Sequence, residues 1–116
     1  MCFRIAVREI EAWLLADRRA LAEFLEVPLA RVPAAPERVA DPKRAMVGLA
    51  ARSRSMDVRR DMVPRPGSGR EVGEAYDARL IEFVQRRWRP EEAAKRSESL
   101  RRALACLRRP AGGLRG

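Results

Sequence analysis

The 116-residue sequence contains no histidine. That absence removes histidine-ligated zinc, serine–histidine and cysteine–histidine triads, and imidazole acid–base chemistry from this chain. Any metal must be held by carboxylates. Cysteine is almost as scarce: Cys2 and Cys106 lie far apart with no CxxC spacing, which predicts a reduced, cytoplasmic protein with Cys106 in the core rather than a disulfide scaffold. No apolar run approaches the roughly 18 residues of a membrane span. Arg4, Arg8 and Glu9 interrupt the opening stretch, unlike a signal peptide. Aromatics are also few, with three phenylalanines, two tryptophans and one tyrosine, so each is expected to serve packing.

Arginine is what the chain has in excess. Of 25 basic residues only Lys43 and Lys95 are lysine, and the formal net charge is +9. The charge is uneven: residues 1–30 carry −1 and residues 31–70 carry +6. Guanidinium groups suit bidentate phosphate contacts, which points to nucleic acid, although a GC-rich genome produces the same arginine bias. With 47% hydrophobic and 35% charged residues, the composition is that of one soluble helical domain able to bury roughly 65% of its unfolded surface.

Phe3, Ile5 and Val7 alternate with Arg4, Ala6 and Arg8, a period of two that predicts a strand over 3–8. A lone strand leaves its backbone groups unpaired, so it is expected to pair outside this sequence or with a second copy. From Ile10 the period becomes helical, with Ile10, Trp13, Leu14, Leu21, Phe24 and Leu25 on one face. Asp17 is placed to cap a second helix. Prolines 28, 33 and 36 predict turns, Asp41-Pro42 opens a helix ending near Ser53, and a short helix or turn follows around 55–61. VPRPGSGREVG excludes regular structure. Tyr76, Leu80, Phe83, Val84 and Trp88 then mark a helix stopped by Pro90, and Leu100, Ala103, Leu104 and Leu107 mark a last one capped by Ser97 or Ser99. The expected fold is mostly α, one N-terminal strand followed by about five helices. Residues 1–109 form a single helical domain and residues 110–116 a flexible tail.

Three groups of residues carry candidate chemistry. Glu9, Glu11 and Asp17 crowd the apolar stretch REIEAWLLAD, where they either complement helix dipoles or hold Mg²⁺ against phosphate. PRPGSGR offers Arg65, Gly67, Ser68, Gly69 and Arg70 ahead of a helix, a pattern that can cradle phosphate or serve as a flexible connector. It is not a Walker A loop, since no Gly-Lys-Ser/Thr follows. Arg52, Arg54, Arg59, Arg60, Arg65 and Arg70 form a basic set that either binds nucleic acid or is a solvated face.

Taken together, RIAVREIEAWLLAD, DPKRAMVGLA, PRPGSGREVGEAYDARLIEFVQRRW and SESLRRAL resemble, in order and spacing, the bacterial domain of unknown function 4276 family, a Toprim-like group. The resemblance covers nearly the whole chain but no catalytic signature. It implies the C-terminal part of an α/β Toprim-like fold, acting on nucleic acid with Mg²⁺ when complete, in defence against foreign DNA. The family's glutamate and Asp-x-Asp pair have no counterpart here; RRDMV, with Asp61, lacks that spacing. The resemblance therefore implies that this chain alone is inactive, with Glu9 or Glu11 assisting catalysis and Glu11 or Asp17 the metal in the intact protein. The alternative is a non-catalytic module that binds nucleic acid or a partner ATPase.

Overall fold

Helix, not strand, opens the described chain. The computed structural model describes the backbone of residues 7–107 and the side chains of residues 10–106. Seven α-helices succeed one another there: α1 Val7–Ala16, α2 Arg18–Leu25, α3 Pro42–Ala51, α4 Met56–Met62, α5 Tyr76–Arg86, α6 Pro90–Ala94 and α7 Glu98–Leu107. The proline-rich passage folds into two single 3-10 turns, Leu29–Arg31 and Pro36–Arg38. The mostly helical expectation holds, but no strand occurs among the described residues.

The expected strand over 3–8 is corrected where it can be seen: Val7 and Arg8 are already helical. Residues 3–6 and the expected tail over 110–116 lie outside the described residues. The physical reason is that a helix satisfies its own backbone groups, whereas a solitary strand cannot. Val7 also lies three and seven residues before Ile10 and Leu14, so a helical period runs through the supposed strand. The sticky strand edge expected to drive self-association is therefore not part of the described structure.

Local chemistry sets the helix ends. Asp41 caps α3 by accepting the Arg44 N–H at 3.1 Å, with Pro42 at the first helical position. Ser55 caps α4 by accepting the Val58 N–H at 3.2 Å. Ser97 Oγ accepts the Leu100 N–H at 3.2 Å at the start of α7. Asp17, in contrast, makes no side-chain cap on α2, because its carboxylate is committed elsewhere. Glu26 ends α2 in the left-handed region at φ 58°, and the Val27 N–H returns to the Ala22 carbonyl at 3.0 Å.

Helix α1 is the central element, packed on α3, on α6 and on the Pro36–Arg38 turn. The larger core gathers Leu14, Leu15, Leu21, Leu25, Met46, Val58, Met62, Tyr76 and Phe83. A smaller one joins Trp13 and Ala16 to Ala93 and Leu100. Trp88 packs against both and donates its indole N–H to the Trp13 carbonyl at 3.1 Å. Helix α5 packs on α4, and α7 on α6. Phe83 stacks obliquely on Phe24 of α2, ring centroids 5.2 Å apart, and Val84 faces solvent. Cys106 is disulfide-bonded, which departs from the reduced-thiol expectation; sequence separation does not report how close two thiols lie in space.

Phe83 is fully buried at the meeting of α2 and α5, so Phe83→Ala is expected to cost about 3–5 kcal/mol in urea unfolding. A loss below about 1 kcal/mol would show that this ring does not anchor the core.

Candidate phosphate-binding cleft

The acids of REIEAWLLAD do not come together as a site. The side chain of Glu9 lies outside the described residues. Glu11 is only 4% exposed and accepts the Tyr76 hydroxyl at 2.7 Å, a contact from α1 to the first residue of α5. Burial, together with that carboxylate, pushes the Tyr76 phenol well above its ordinary range, so it stays a donor. Asp17, 2% exposed, sits in the break between α1 and α2. Its Oδ2 accepts the Arg89 N–H at 2.9 Å and Nε at 3.1 Å, and its Oδ1 accepts Nη2 at 2.8 Å. Hydrogen bonding to Asp17 raises the Arg89 guanidinium further still.

A metal set would need several carboxylates with free oxygens aimed at one point. Both oxygens of Asp17 are occupied by a guanidinium, and Glu11 serves a buried hydroxyl. No group of three or more His, Cys, Asp or Glu residues suited to a metal exists among the described residues. The described residues do not fit Mg²⁺. Glu37 shows the same structural use of acid, accepting the Ser99 N–H at 3.0 Å and the Ser99 and Ser97 hydroxyls at the start of α7. Ser99 Oγ in turn accepts the Trp13 indole N–H at 2.8 Å.

The basic loop does line a cleft. After α4 the chain runs out through Pro64 and returns, and a cleft of about 180 Å³ opens between α4 and the loop. Arg60 and Asp61 of α4, Arg65, Ser68 and Arg70 of the loop, and Glu74 line it. The loop is a set of defined turns rather than a slack connector. Pro66-Gly67 occupy the centre of a turn closed by the Ser68 N–H on the Arg65 carbonyl at 3.0 Å, with Gly67 at φ 80° as a type II turn requires. Ser68 Oγ accepts the Arg70 N–H at 3.2 Å, and Gly69 has φ 76°. Gly67 and Gly69 shape the loop without lining the cleft, which refines their expected role.

The loop's return is pinned at its foot. The Gly73 N–H reaches the Met62 carbonyl at 2.9 Å and the Ala75 N–H reaches the Asp61 carbonyl at 3.0 Å. This approach demands glycine, because a Cβ at position 73 would sit 2.4 Å from the Asp61 carbonyl oxygen. The cleft charges are largely sorted: Asp61 is held by Arg79 at 2.9 Å and Arg60 at 3.4 Å, and Arg60 also meets Asp57 at 3.1 Å. Arg70 spends Nε on the Val72 carbonyl at 3.4 Å. Arg65 is exposed and has no partner among the described residues, and Glu74 is the cleft's one acid outside an ion pair among them.

Of the residues expected from sequence, Arg65, Ser68 and Arg70 are thus brought together. Arg60 joins them through the end of α4, and Arg59 instead turns inward to the Ser53 carbonyl. Glu74 was not foreseen, and only its closeness in sequence to the loop could have signalled it. No helix among the described residues is long and apolar enough to cross a membrane. No family model, curated protein or solved structure matches the chain.

Two outcomes follow from the acids' structural use. Tyr76→Phe strands a buried carboxylate and is expected to cost about 1–3 kcal/mol in chemical denaturation; a neutral result would mean that water serves Glu11. The Glu37 carboxyl is held below its ordinary range, first by the Ser97 hydroxyl, so its contribution to stability is present above the unfolded pKa of about 4.5 and lost as pH falls below it. The stability gap between wild type and Glu37→Gln should close between pH 5 and about pH 3 in urea titrations; a gap that stays constant across that range would contradict this role.

Proposed function

We propose that this chain is a basic helical module that binds nucleic acid through the arginine-lined cleft between α4 and the 63–73 loop. One observation carries the reading: Arg60, Arg65 and Arg70 are gathered with the Ser68 hydroxyl around one cleft whose walls are fixed by backbone hydrogen bonds. Preset guanidinium groups lose little freedom on meeting phosphate, so a pinned loop favours binding over a slack one. Arg65, exposed and unpartnered among the described residues, supplies a charge that no internal acid neutralises.

The segment resemblance to the domain of unknown function 4276 family supports a wider proposal. In it the chain is the C-terminal part of a Toprim-like protein acting on foreign DNA beside an ATPase, in the cytoplasm. The Cys106 disulfide pulls against that last element, since reducing compartments keep thiols free. Because Glu11 and Asp17 are engaged internally, this proposal gives them no part in Mg²⁺ chemistry. The contribution of this chain is to hold the nucleic acid through its phosphate.

Replacing Arg65 and Arg70 together with Ala should weaken oligonucleotide binding across sequences and flatten its salt dependence by roughly two counterions, with base preference unchanged. Fluorescence anisotropy at several salt concentrations reads this. Unchanged affinity and slope in the double variant would end the proposal.

A further inference from the structure

The shape of the cleft says more than its charge. We propose that it seats the terminal phosphomonoester of a nucleic-acid strand rather than the phosphodiesters along it, an inference that rests on the nucleic-acid reading above. At about 180 Å³ the cleft is smaller than the roughly 300 Å³ at which sites for whole small molecules begin, so it takes a phosphate group but not a base with its sugar. It is also blind at one end. The chain that leaves α4 at Met62 is back within a backbone hydrogen bond at Gly73, and that contact is too close for any side chain at 73. An internal phosphate reaching this floor must carry two sugars out through the same mouth, whereas a terminal phosphate carries only one.

Charge favours the same occupant. A phosphomonoester carries about −1.5 to −2 at neutral pH and presents three acceptor oxygens, against one charge for each internal phosphate. The donors available match three oxygens. Arg65 is unpartnered among the described residues, Arg70 keeps its terminal nitrogens because only Nε is spent on Val72, and Ser68 contributes a hydroxyl. Asp61, which lines the cleft, is paired with Arg79. Glu74 remains as the opposing charge, which repels the more highly charged occupant most and so tempers the preference the arginines create.

The test uses the full chain and one single-stranded sequence made with a 5′-phosphate, a 3′-phosphate or hydroxyl ends, followed by anisotropy at fixed salt. A phosphorylated end should bind about tenfold more tightly than the hydroxyl-ended strand, as expected for new charge-assisted hydrogen bonds. Arg65→Ala should erase that preference, Arg65→Lys should restore part of it, and Glu74→Gln should enlarge it. The Arg65 side chain makes no hydrogen bond or ion pair among the described residues, and its backbone turn contact survives substitution, so its variants should leave the circular dichroism and melting of the chain unchanged. Equal binding of all three strands, weakened alike by the Arg65/Arg70 double variant, would overturn end recognition while leaving the nucleic-acid reading intact. Inorganic phosphate or a mononucleotide binding as tightly as the phosphorylated strand would overturn it in favour of a small phosphate ligand. No binding of any strand would overturn both.

Discussion

A carboxylate with almost no access to water holds this chain's two halves in register. Asp17 lies where α1 breaks into α2, and Arg89 lies where α5 gives way to α6. The pair is bidentate, and the backbone N–H of Arg89 joins it, so one acid fixes both a side chain and a turn. Trp88, next in sequence, is thereby set between the two cores and bonded to Trp13. Removing the carboxylate would free the α5–α6 corner and with it the seat of the smaller core. A buried acid tolerates this position only because every oxygen is satisfied.

The same economy runs through the other acids. Glu11 joins α1 to α5 through Tyr76, Glu37 gathers the start of α7, and Asp61 holds α4 to α5 through Arg79. These acids are drawn inward or into ion pairs, whereas Glu26, Glu74 and Asp77 and many arginines, Arg52, Arg54 and Arg65 among them, stay exposed. The positive excess is therefore presented to solvent, where it can attract polyanions over roughly a Debye length of 8 Å at physiological salt. This link between packing and field explains why an acid-rich first helix and a basic surface coexist in one small domain.

The cleft depends on that framework in turn. Loops that bind are useful when rigid elements position them. Here α4 and α5 stand on the larger core through Val58, Met62 and Tyr76, and the loop between them is tied to α4 by the Gly73 contact. The placement of the backbone that carries Arg65 and Arg70 is thus a consequence of core packing, transmitted through Asp61 and Met62 at the loop foot.

What the sequence determined by itself was local. The caps at Asp41 and Ser97 depend on residues a few positions apart, so their chemistry could be read directly, whereas Pro90, expected only to stop α5, opens α6. Helical character and the buried role of Phe83, Tyr76 and Trp13 also followed from periodicity. Only the tertiary structure decided the partners. Asp17 and Arg89 are 72 residues apart, Glu11 and Tyr76 are 65 apart, and no spacing rule links them. A carboxylate in an apolar stretch reads the same whether it waits for a metal, a dipole or a distant guanidinium. Where the expected strand can be seen, at Val7 and Arg8, helix stands instead for a related reason: the alternation was local, but a strand exists only through a neighbour that pairs with it, and a helix needs none.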